Sequence, residues 1–265
     1  MFSACKYGSK AVVDFLLKRG CEVNAIDKNW QIALHAACKN GNIDIVKILL
    51  RCNSNVNQYD TNNWTPLHVA CEHGNIDIVN SLLGYNSNAN LYDTDGSTPL
   101  HIACKHGNID IVNILLKSNS NVNLFSTGEL QLAPLHIACR HGNIDIVNIL
   151  LKCNSNVNLC GTDGYTPLHI ACRNGNTDIV NILLKCNSSV NLCDINEYTP
   201  LHAACINGNI AVWETTACQL AKGEWKFQVA SKIHFILAGL ASNSCKASRN
   251  MKTLATITGY SFKIS

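Results

Sequence analysis

The stretch TPLHIACKHGNIDIVNILLKSNSNVN, residues 98–123, decides the fold. Thr98 is an N-cap residue, and Pro99 is the preferred first residue of a helix. Leu100, Ile102, Ala103 and Cys104 give that short helix an apolar face, and Gly107 ends it in the left-handed conformation. Asn108 is placed to cap a second helix, with Asp110 in its first turn where the dipole favours a carboxylate. Ile109, Ile111, Val112, Ile114, Leu115 and Leu116 make this second helix heavily apolar, as packing on two neighbours requires. Asn119 fills the left-handed cap after it, where Gly20 stands in the first unit. Ahead of the stretch, Asp93-Thr-Asp-Gly96 is turn chemistry. The unit is therefore turn, helix, helix, loop.

The same phrase recurs. It starts at Thr65, Thr98, Thr166 and Thr199, with degraded copies at Ile32 and at Leu132-Ala133-Pro134. Its histidines, His35, His68, His101, His136, His169 and His202, are spaced by 33, 33, 35, 33 and 33 residues. A fixed period of this size marks stacked repeats, in which each unit packs only on its neighbours. The spacing of 35 places a two-residue insertion between Ser126 and His136. It lengthens the fifth finger, which carries Leu130 and Leu132, without showing which two residues are extra.

Seven units follow: 1–26 (partial), 27–59, 60–92, 93–125, 126–160, 161–193 and 194–210 (partial). The first begins inside its inner helix, with Ala4-Cys5-Lys6-Tyr7-Gly8 matching Ala37-Cys38-Lys39-Asn40-Gly41. This suggests a fragment or an incomplete gene model. In the seventh, Thr215 and Thr216 fall where Ile182 and Leu183 stood one unit earlier. Residues 211–265 show no repeat. Glu214 to Lys222 and Trp225 to Leu240 have helical composition, so the tail is either a helical cap on the last unit or a disordered or mis-spliced segment.

The residues Gly96, Thr98-Pro-Leu-His101, Ala103, Gly107, Ile111-Val112, Leu115-Leu116 and Val122-Asn123 closely resemble the ankyrin repeat family, over about residues 1–210. The resemblance implies an all-α, ankyrin-repeat solenoid of stacked helix-turn-helix units with projecting β-hairpin fingers. It implies that finger tips and inner helices form a concave face that binds proteins. It also implies that the histidine braces the turn by hydrogen bonding to the Thr-Pro segment.

Bulk composition narrows the function classes. The net charge is +3, but residues 1–210 carry 14 Lys/Arg against 16 Asp/Glu and residues 211–265 carry 7 against 2. A near-neutral array does not suit nucleic-acid coating. The tail cations are spread out and form no cluster. Seven of the 15 cysteines (Cys5, Cys38, Cys71, Cys104, Cys139, Cys172, Cys205) share one repeat slot. Equivalent atoms in stacked helices lie roughly 8–10 Å apart, beyond the roughly 7 Å Cα limit for a disulfide. A reduced, intracellular protein is expected, cytoplasmic with the nucleus left open. The N-terminus lacks a signal-peptide pattern, and no apolar run reaches the roughly 20 residues of a membrane span. His68-x-x-Cys71 and its equivalents put two zinc-competent side chains on one helix face. Six copies of that pair read instead as scaffold, with Cys a small hydrophobe. No phosphate loop, His-Glu-x-x-His or Gly-x-Ser-x-Gly motif is present. No enzyme activity, cofactor or metal is expected.

Function is sought where the repeats differ from one another. One column, just before the turn Asp slot, reads Ile26, Tyr59, Tyr92, Phe125, Cys160, Cys193. A second, after the Gly slot, reads Gln31, Trp64, Ser97, an unassigned residue in unit five, Tyr165, Tyr198. A third, at the inner-helix ends, includes His73, Lys105, His106, Arg140, His141 and Arg173. The resemblance implies that all three face the groove. Aromatic residues beside Arg are the usual material of binding hot spots. Tyr59, Trp64, His73, Tyr92, Lys105, His106, Phe125, Leu130, Arg140, His141, Tyr165, Arg173 and Tyr198 are therefore the candidate partner-binding residues, densest in units three to six. The expected protein is a monomeric, non-enzymatic scaffold for an unidentified protein partner with some acidic character. The alternative is the recognition module of a larger multidomain protein, such as a ubiquitin-ligase receptor, kinase, channel or death-domain adaptor.

Overall fold

A computed structural model describes residues 1–128, 131–209, 211, 212 and 216. They contain helices and turns, and no strand among the described residues. Contacts gather the chain into two units, Met1–Ile137 and Ala138–Ser265, each taken by itself.

The first unit alternates short inner helices with longer outer ones. The inner helices are α1 (Phe2–Lys6), α3 (Ala33–Lys39), α5 (Pro66–Glu72) and α7 (Pro99–His106). The outer helices are α2 (Lys10–Lys18), α4 (Ile43–Arg51), α6 (Ile76–Gly84) and α8 (Ile109–Lys117). Each inner helix packs on the next inner helix and on its own outer helix, and outer helices pack on one another in the same order. α9 (Pro134–His141) begins in the first unit and ends in the second. The second unit continues with α10 (Ile144–Lys152), α11 (Pro167–Asn174), α12 (Thr177–Lys185) and α13 (Pro200–Ile206). There α11 packs on α12 and α13, and α10 on α12.

The outer helices follow their sequence logic with one difference. Asp110 sits in the first turn of α8 and Lys117 in the last, each complementing the dipole. Ile111, Val112 and Leu115 are buried, but Ile109 is exposed and Ile114 and Leu116 only half-buried. The three buried side chains in each of α6, α8, α10 and α12 contribute about 1.5–3 kcal/mol each, which stabilises a helix too short to persist alone. Gly107 takes φ 74° and Asn119 φ 61°, as the cap chemistry requires.

One expectation needs correction. Asn108 occupies the N-cap position of α8 but its side chain makes no capping bond. Its Nδ2 donates instead to the Cys71 carbonyl of the preceding repeat, at 3.4 Å. Asn42, Asn75, Asn176 and Asn209 do the same to Cys5, Cys38, Cys139 and Cys172. The fingers close through tight turns, with no residue in a strand among those described. Asp60 N–H donates to the Trp64 carbonyl, and backbone bonds join neighbouring fingers within a unit, such as Thr61 N–H to the Asn29 carbonyl and Thr94 N–H to the Asn62 carbonyl.

The tail expectations lie outside the described residues, except that Thr216 is buried and its hydroxyl donates to the Val212 carbonyl. No described helix is long and apolar enough to cross a membrane.

Candidate functional site

The histidines of the Thr-Pro-Leu-His boxes are buried, and His68, His101 and His169 are held at both ring nitrogens. Thr98 N–H donates to His101 Nδ1 at 3.1 Å, and the Thr98 hydroxyl lies 2.7 Å from the same nitrogen. His101 Nε2 lies 3.0 Å from the Leu132 carbonyl, in the next repeat. An amide can only donate and a carbonyl only accept, so the ring must be neutral with its proton on Nε2. The same bond across repeats runs from His35 to Trp64, His68 to Ser97 and His169 to Tyr198. The expected brace to the Thr-Pro segment is therefore present, and a second bond reaches onward to the following finger. Burial pushes the imidazoles of His68 and His101 down to about 4 and lowers His35 and His169. The slot cysteines are equally enclosed. Burial raises Cys5 to about 11 and Cys205 to about 12, and raises Cys38, Cys71, Cys104, Cys139 and Cys172 as well. Thiols held in the protonated form are poor nucleophiles and poor metal ligands. Among the described residues no group of three or more His, Cys, Asp or Glu is arranged to hold a metal. Cys21, Cys52, Cys153, Cys160, Cys186 and Cys193 are the exposed thiols among the described residues.

The fingers sort the aromatic candidates into two kinds. Tyr59 and Tyr92, just before the turn, are 37% and 42% exposed. The second column packs inward on the box. Trp64 lies 6.3 Å from His68, Tyr165 5.4 Å from His169 edge-on, and Tyr198 5.7 Å from His202. Trp64 is half-buried. Phe125, although in the first column, tilts onto His136 at 6.4 Å. The fifth finger resolves the unassigned position. Ser126 N–H donates to the Leu132 carbonyl and Leu132 N–H to the Ser126 hydroxyl, as Asp60 and Trp64 do one another's work in the third unit. Leu132 therefore takes the column position and is buried, with the insertion inside the turn between them. Leu130 lies outside the described residues.

His73, Lys105, His106, Arg140, His141 and Arg173 are all exposed at the inner-helix ends. In the first unit His73 Nδ1 donates to the Val69 carbonyl one turn back, and His106 lies 2.8 Å from Glu72. In the second unit the Arg140 and Arg173 side chains form no ion pair with a described residue. A cleft of about 210 Å³ opens there between finger and inner helices. Tyr165 and Tyr198 wall it, Arg173 stands over it, and Ala203 and Ile206 supply apolar lining, with Asn196 and Asn207 beside them. Sequence reasoning named Tyr165, Tyr198 and Arg173 as binding residues and placed Ile206 in the same groove column as Arg173 without naming it among them. The signal was there: Ile206 is an apolar residue in a column otherwise filled by Lys39, Glu72, Lys105, Arg140 and Arg173.

The description "Ankyrin repeats (3 copies)" matches residues 1–93, 73–159 and 135–215. The fold is similar to the crystal structure of the ankyrin repeat domain of Bcl-3, a member of the IkappaB protein family. The TM-score is 0.70 at 24% identity, over 77% of this chain and 92% of that one. It is also similar to the human ASB11 ankyrin repeat domain, with TM-score 0.68 and 29% identity over 77% of this chain and 90% of that one. No curated protein sequence matches the chain.

Proposed function

The chain belongs to the ankyrin repeat family, and on that premise we propose that it is a non-enzymatic module that binds a partner protein through its finger tips and inner-helix ends. Ankyrin repeats generally serve protein–protein interaction. The observation that carries the reading is a division of labour within one repeat. The recurring box side chains, such as His68, His101, Cys71 and Cys104, are buried, while the varying Tyr59, Tyr92, Tyr198, Lys105, Arg140 and Arg173 are exposed. Large aromatics and arginines held on a rigid scaffold are the side chains from which interfaces draw most of their energy. The exposed cations suit a partner segment with acidic character. Trp64 and Phe125 contribute by holding the fingers, and the protein works as a monomer in the cytoplasm.

Affinity capture with the full chain tests this. Tyr59→Ala with Tyr92→Ala addresses the first unit, and Arg140→Ala with Arg173→Ala the second. Loss of a captured partner with either pair supports the reading, and recovery unchanged by both pairs removes it. The array as recognition module of a larger protein is the second reading. It is favoured by the solved neighbours, each an ankyrin repeat domain of its protein.

A further inference from the structure

We infer that the cleft of the second unit is an anchor pocket for one large apolar side chain of an acidic, extended partner segment. The inference rests on the protein-binding reading above and assigns it a chemistry. Size speaks first. At about 210 Å³ the cleft is smaller than the roughly 300–1,000 Å³ of small-molecule sites. It has room for a single large side chain. The lining speaks second. Two tyrosine rings and Ile206, which is 47% exposed, present apolar surface. The Asn207 amide is engaged within the lining, its Nδ2 donating to the Ala203 carbonyl at 3.0 Å. Covering Ile206 and the tyrosine faces is where the favourable free energy lies.

Charge decides the flanks of the segment. Arg173 lines the cleft, and Arg140 stands one repeat away, its backbone carbonyl accepting from Asn174 Nδ2. Neither guanidinium forms an ion pair with a described residue. An Arg fork matches a carboxylate with two parallel bonds. A segment bearing Leu, Phe or Trp with Asp or Glu within two residues of it satisfies both requirements. The chain's own tail does not suit the place. Residues 211–265 carry seven Lys or Arg against two Asp or Glu, which sets like charge against Arg140 and Arg173.

The probe is a displayed library of random linear peptides, selected on the full chain. Recovered peptides are then measured by fluorescence polarisation against wild type, Ile206→Lys, Arg173→Glu and the Tyr59→Ala/Tyr92→Ala pair. Both second-unit positions are exposed, and circular dichroism checks that each variant keeps its helix content. The expected result is enrichment of a large apolar residue beside an acidic one, with at least tenfold weaker binding to Ile206→Lys and to Arg173→Glu. Peptides that depend on Tyr59 and Tyr92 but bind Ile206→Lys normally overturn the pocket while leaving protein recognition standing. Peptides indifferent to all of these substitutions, or a selection that enriches none, overturn the pocket and the broader reading together.

Discussion

His101 and His106 sit on one helix, five residues apart, and do opposite things. At the start of α7, His101 is buried, neutral and bonded at both nitrogens. At the end of the same helix, His106 is exposed and meets a single carboxylate, Glu72, across the repeats. The residue type is therefore no guide to its role; the position in the repeat is. The recurring box histidine is enclosed and joins neighbours, and the varying residue at the helix end is left facing water.

Acid gives the largest test of that contrast. In the unfolded chain a histidine titrates near 6.5, whereas His68 and His101 in the folded chain titrate at about 4. Between these values only the unfolded chain takes up the protons, so stability is complete above pH 6.5 and falls as pH drops toward 4. The loss is on the order of 2–3 kcal/mol for each of the two by pH 4, with the same sign from His35 and His169. Thermal melts at pH 7 and pH 4.5 should differ by more than about 10 °C, and His106→Ala should leave that difference intact. Equal melting temperatures would refute the neutral brace.

His101→Ala comes next. It leaves the Thr98 amide and the Leu132 carbonyl without their partner and opens a cavity. A loss of about 3 kcal/mol in urea unfolding is expected; a loss under 1 kcal/mol breaks the contrast with His106. Asn75→Ala removes a 2.8 Å bond from its amide to the Cys38 carbonyl and should cost about 1 kcal/mol by the same measurement. If it costs nothing, the asparagine tie is ornamental. Glu72→Gln is the smallest. An exposed pair contributes at most about 0.5 kcal/mol, so unfolding midpoints should be nearly unchanged, and a loss above 1 kcal/mol would move His106 to the structural side.

The helices and their ends were legible because their signals are local. Thr98-Pro99, Gly107 and Asn119 announce starts and stops within a few residues, and the period of 33 multiplies each signal. The ties between repeats were not legible, because they join residues about 29 to 37 positions apart through side chains already assigned another duty. Asn108 is the clearest case, with an N-cap position and an amide that reaches sideways to Cys71. The site was legible in its columns and illegible in its depth. Sequence placed Trp64 and Tyr59 side by side as finger aromatics, but only packing separates a Trp64 leaning on His68 from a Tyr59 open to solvent. The cleft needed α13 beside its finger, which brings Ile206 to Tyr198 across residues that share no local pattern.

The amide-to-carbonyl ties have a mechanical consequence. Each joins one repeat to its immediate neighbour, as Asn42 to Cys5 and Asn75 to Cys38, with the box histidine adding a parallel link. A load applied to the two ends of such a stack is borne in series, so every junction feels the whole force. The junction with the fewest links gives way first, and extension then proceeds in steps of one repeat's length, like a chain of clasps opening in turn.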